Sequence, residues 1–129
     1  MIAPEDINRA GVLSEVTEAF TRYEAALVGN DVAALDQMFW DSAFTLRYGI
    51  GENLYGIEAI RAFRQARNPT GLARRLQNIV ITTFGADLAT ANAEFHRAGQ
   101  PIGRQSQTWV RLAQGWRVVA AHVSFVKEP

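Results

Sequence analysis

Near residue 70 the apolar pattern of the chain changes period. Before it, Leu13, Val16, Phe20, Tyr23 and Leu27 fall at intervals of three and four between Val12 and Gly29, the stripe of an amphipathic helix. Gly29-Asn30 stops that helix, and Asp31 is placed to cap a second, "VAALDQMFW", which buries Val32, Leu35, Met38 and Phe39. A third, "IEAIRAFRQAR", turns Ile57, Ile60 and Phe63 inward and its arginines outward, and ends at Asn68-Pro69. After it the alternation of strands takes over, near residues 74–84, 87–97, 103–113 and 115–126, with turns at Gly85-Ala86, "AGQP" and Ala113-Gln114-Gly115. One short strand, "FTLRYG", lies among the helices, and "GIGENLYG" after it reads as a loop. Helices first and strands afterwards predict an α+β fold, with a curved, mostly antiparallel sheet wrapped around the first helix.

The chain has 129 residues, 48% of them hydrophobic and 20% charged, which predicts one domain over 1–129 with a single core. No apolar run has the length of a membrane span, and "MIAPEDINRAG" carries acids where a signal peptide needs a basic start, so a cytoplasmic location and no membrane partner are expected. Cysteine is absent and the two histidines, His96 and His122, have no metal-ligand spacing, so neither metal nor cofactor is expected. "GIGENLYG" lacks a Walker lysine and the spacing of a dinucleotide loop. Residues 1–58 hold ten acids against Arg9, Arg22 and Arg47, while residues 59–129 hold ten bases against Asp87, Glu94 and Glu128. The bases form no run and Lys127 is the only lysine, which argues against nucleic acid and for two halves attracting each other within one fold or across a dimer.

Two residues stand out as candidates for chemistry. Tyr23 lies on the buried stripe, so its phenol either bonds a backbone carbonyl or opens into a cavity. Arg47 interrupts an apolar strand, and a guanidinium in such a place needs an anion: Glu24 or Glu52, or the carboxylate of a ligand. If both point into one interior, they supply a neutral proton donor and a permanent cation. Gln107 and Trp109 share one face of "GRQSQTWV" and, with Tyr48, are the substrate-binding candidates. On "WRVVAAHVSFV" the odd positions Val119, Ala121, Val123 and Phe125 are expected to face the core. Trp116, His122 and Ser124 then take the other face, where His122 reads as a structural or interface histidine rather than a general base.

"FTRYEAALVGNDVAALDQMFWDSAFTLRYG" followed by "NLYGIEAIRAF" resembles the opening of the nuclear transport factor two-like superfamily, which includes ketosteroid isomerase. The resemblance implies a cone of three helices and a highly curved sheet around a deep pocket, and a homodimer. Within that superfamily, "RYEAAL", "LRYG", "ENLYG", "GRQSQTWVR" and "GWRVVAAHVSF" resemble the blocks of the AtzH-like family, found beside amidase genes in cyanuric acid and related nitrogen catabolism. It implies a decarboxylating amidohydrolase converting 1,3-dicarboxyurea to allophanate, with a small anionic substrate and amidases as pathway neighbours, and puts the required tyrosine and arginine at Tyr23 and Arg47. Against the isomerase, Tyr23 matches the oxyanion-hole tyrosine while Arg47 stands where the general base should be. A cation cannot abstract a proton from a steroid, so an anionic substrate takes its place. The rival reading is a non-catalytic binding or accessory protein for a small anion or a neighbouring amidase, and a weaker third is a dimerisation module.

Overall fold

The structure, a computed structural model, describes residues 1–127. Three helices, α1 (Ala10–Val28), α2 (Val32–Met38) and α3 (Ile57–Ala66), pack with a sheet of six strands: β1 (Leu46–Tyr48), β2 (Asn53–Tyr55), β3 (Arg75–Phe84), β4 (Leu88–His96), β5 (Gly103–Leu112) and β6 (Gly115–Phe125). The sheet is curved and mixed, in the order β2-β1-β6-β5-β4-β3, with β1 parallel to β6 and every other pair antiparallel. The expected α+β architecture is what the chain adopts. Among the described residues, no helix is long and apolar enough to cross a membrane.

The core follows from the stripe of α1. Val16, Ala19, Phe20, Tyr23, Ala26 and Leu27 are buried, and they meet Leu35 and Phe39 from the α2 segment and Trp109, Val118 and Ala121 from the sheet. Asp31 caps α2 by accepting from the Ala34 amide at 3.1 Å. That helix stops at Met38, earlier than expected, because Phe39 and Trp40 turn to the sheet and the Trp40 amide donates to the Val118 carbonyl at 3.0 Å.

Three expectations need correction. "GENLYG" is not only loop: Asn53–Tyr55 forms β2, a hairpin partner of β1 closed by the Gly49 amide donating to the Glu52 carbonyl at 2.9 Å. Three residues are too short to show alternation, and the flanking glycines hide the strand. The arginines of α3 do not all face out, since Arg64 is buried against Asp36.

The third correction concerns β6. Thr108 pairs with Ala120 but Trp109 pairs with Val118, so Val119 is an extra residue in the ladder. A bulge of this kind reverses the parity of everything on one side of it. Trp116 and Val118 therefore join the core, while Ala121 and Val123 still point inward and His122 is exposed on the outer face. A second bulge, between Gln77 and Val80 of β3, contains Asn78 at φ 51°. The two bulges add bend to the sheet where it closes over α1.

Candidate functional site

Between the C-terminal half of α1, α3 and the inner face of the sheet lies a cavity of about 250 Å³. Tyr23 comes to it from α1, Arg47 from β1, Glu52 from the β1–β2 turn, and Phe63, Arg64 and Arg67 from α3 and its end. Arg74, Arg97, Gln105 and Val123 complete the wall from the sheet side. Tyr23 and Arg47 thus line one space.

Tyr23 is held by aromatic packing. Its ring stands edge-on to Trp109 at a centroid distance of 6.4 Å and tilted against Phe39 at 6.2 Å. Trp109, fully buried, donates its indole N–H to Gln107 Oε1 at 3.0 Å. Gln107 and Trp109 therefore stand behind the tyrosine and outside the cavity lining, where they fix its ring. The strand face that carries them does reach the cavity, through Gln105. Tyr48 faces the other way. Its hydroxyl lies 3.2 Å from that of Tyr55 and its ring is edge-on to His122, outside the cavity, because it neighbours Arg47 on a strand whose side chains alternate.

Arg47 is held at rest by Glu52. Its Nη1 donates to Glu52 Oε1 at 3.0 Å, and its guanidinium lies 5.4 Å from the centre of the Phe63 ring. Gly49 leaves the pair its room: a Cβ there would stand 1.7 Å from Glu52 Oε1, and the carboxylate would have to shift. Of the two carboxylates expected as partners, Glu24 goes to Arg74 instead, bonded by Nη2 at 2.6 Å and by Nε at 2.9 Å. Arg64 pairs with Asp36 at 2.5 Å and lies over Phe39.

The electrostatics are lopsided. Five guanidiniums line the cavity, those of Arg47, Arg64, Arg67, Arg74 and Arg97, and three carboxylates answer them, Glu52, Asp36 and Glu24. Among the described residues, Arg67 and Arg97 are the two left over, and burial pushes the pKa of each down, with the nearby guanidiniums of Arg64 and Arg47 adding to it for Arg67 and that of Arg74 for Arg97. This surplus gives the cavity a net positive charge, in a space that keeps water partly away. Among the described residues, no cluster of three or more histidine, aspartate or glutamate side chains could hold a metal ion.

The model of the family described as AtzH-like matches residues 5–129. The chain belongs to the AtzH-like family. No curated protein matches it. A solved structure of unknown function from Pectobacterium atrosepticum is 60% identical, with a TM-score of 0.97 over 98% of this chain and 100% of that one. A cystatin-like fold protein from Burkholderia xenovorans is 47% identical, with a TM-score of 0.91 over 95% and 98%. A nuclear transport factor two-like superfamily protein from Salmonella enterica is 25% identical, with a TM-score of 0.75 over 92% and 94%. This AtzH-like chain thus has the fold of a superfamily that includes enzymes.

Four arginines of the wall, Arg64, Arg67, Arg74 and Arg97, and Gln105 beside them, were not among the candidates drawn from sequence. A signal for them did exist. Twelve of the thirteen bases are arginine, and guanidinium is the cation suited to buried pairing and carboxylate recognition.

Proposed function

We propose that this AtzH-like protein is a decarboxylating amidohydrolase that removes one N-carboxylate from a small N-carboxylated urea, of the 1,3-dicarboxyurea to allophanate type, in cyanuric acid or related nitrogen catabolism. The supporting observation is a phenol and a guanidinium, Tyr23 and Arg47, lining one cavity whose arginines outnumber its carboxylates. A substrate carboxylate displaces Glu52 and takes the Arg47 fork. The bond between nitrogen and the departing carboxylate carbon breaks, its electron pair stays on nitrogen, and carbon dioxide leaves. Tyr23 gives that nitrogen its proton as the pair localises and is reprotonated from solvent. Negative charge moves from the carboxylate toward nitrogen during the step, so fixed cations around it favour the transition state.

A second reading, a non-catalytic binding or accessory protein for a small anion, has support from the same resting pair: Arg47 neutralised by Glu52 is poised for exchange of one carboxylate for another. The two readings separate on carbon dioxide release and allophanate formation from freshly made 1,3-dicarboxyurea. Catalysis predicts that wild type outruns buffer and that folded Tyr23→Phe and Arg47→Ala both lose the acceleration. Wild type running at the buffer rate contradicts it.

A further inference from the structure

We infer that Arg67 and Arg97 form a second anion subsite in this cavity, which holds the carboxylate of a small dicarboxylate substrate that Arg47 does not hold. The inference rests on the cavity being the substrate site, and it adds two specificity-determining residues to Tyr23 and Arg47. Each of the other three guanidiniums of the wall has its own carboxylate, whereas Arg67 and Arg97 have none among the described residues. Arg67 Nη2 donates to Asn30 Oδ1 at 3.2 Å, and Arg97 Nη2 reaches the Leu72 carbonyl only at 3.5 Å. The Nε–H of each is buried and has no acceptor, and so is the Nε2 amide of Gln105 on the same wall.

An N–H of a charged group buried without an acceptor costs free energy even where the rest of the guanidinium is half-buried, and two of them beside further like charges cost more. Such groups persist where something outside the folded chain satisfies them. The depressed pKa values of both arginines, caused first by burial, have the same origin. The charge surplus of two matches a dianion rather than a monoanion. The volume, about 250 Å³, lies below the range of roughly 300–1,000 Å³ usual for drug-sized ligands, so the dianion is short. Arg97 is also pre-positioned: it lies 5.1 Å from the centre of the Phe95 ring, against which Arg74 packs at 4.6 Å.

Calorimetry with malonate as the dianion and acetate as the monoanion, at constant ionic strength, tests the subsite without any turnover. Wild type should bind malonate more tightly than acetate. Arg67→Gln and Arg97→Gln should each weaken malonate by roughly 10- to 100-fold, the worth of charge-assisted hydrogen bonds, and weaken acetate as well, because Glu52 already occupies Arg47 and a monoanion goes first to the guanidiniums without a carboxylate. Melting temperature supplies the second readout. A structural arginine lowers it when removed, whereas these unpaired, mutually repelling guanidiniums should leave it unchanged or raised when replaced. Malonate binding no tighter than acetate in wild type, or unaltered in both folded variants, overturns the subsite. Tyr23-dependent turnover alongside that result leaves the proposed reaction standing, while malonate binding that depends on Arg67 and Arg97 in a wild type without turnover supports the subsite and removes the reaction.

Discussion

Arg47 is partnered by Glu52 before any ligand arrives, so affinity is a competition between carboxylates. Glu52→Gln keeps the shape and removes the charge, and should tighten malonate several-fold in calorimetry; an unchanged affinity would mean that ligand does not use Arg47. Gly49→Val asks the same question from the backbone, since its Cβ would collide with Glu52 Oε1 and make that carboxylate shift beside Arg47. Arg74 differs in kind. Its side chain is 2% exposed and donates from Nε and Nη2 to Glu24 and from Nη2 to Gln105, and its removal leaves a mostly buried carboxylate unpaired. Arg74→Met should therefore lower stability in denaturant unfolding by about 3–5 kcal/mol, the usual cost of breaking a buried pair. A loss below about 1 kcal/mol, the scale of exposed pairs, would show that the pair is solvated. Arg64, Arg67, Arg74 and Arg97 in one wall could not have been grouped from sequence, because only the curved sheet brings the end of α3 to the ends of β3 and β4. Tyr23 and Arg47 were legible because each puts a polar group at a position its own element buries, a phenol on the stripe of α1 and a guanidinium in an apolar strand.

At the scale of elements, the sequence shows α1, α3 and the four long strands because each repeats its period often enough to be read. What it hides are local exceptions to period. β2 has three residues, and the Val119 bulge alters the facing of Trp116 and Val118 without changing composition. Deleting Val119 should restore strict alternation and force either Trp116 or Ala121 out of the core, with loss of cooperative unfolding as the observable. The β3 bulge carries a pH handle. Glu94 accepts from Asn78 and Gln77, and these two hydrogen bonds hold its carboxyl below its ordinary value of 4.5. A carboxyl with a lowered folded pKa stabilises above its unfolded value, and that contribution disappears as pH falls through the folded value. Melting temperature should thus decline below pH 4.5, and Glu94→Gln should decline less over that interval; equal slopes would assign the acid loss elsewhere.

For the whole molecule, the uneven distribution of charge along the chain resolves into pairs across the fold. Glu24 and Asp36 of the acidic half meet Arg74 and Arg64 of the basic half, and the cations in excess gather at the cavity. Binding of a small dianion should then weaken with salt, as the Debye length shortens from about 30 Å at 0.01 M to about 10 Å at 0.1 M. An affinity independent of salt would contradict a site built on net charge. Catalysis asks more than attraction, and it rests on the phenol of Tyr23. The decisive measurement is the turnover of 1,3-dicarboxyurea by Tyr23→Phe set beside its affinity for malonate. The account predicts a fall in kcat of roughly 10²- to 10⁴-fold, the range of a positioned general acid, with malonate binding as in wild type. A folded Tyr23→Phe protein that retains full kcat would contradict it.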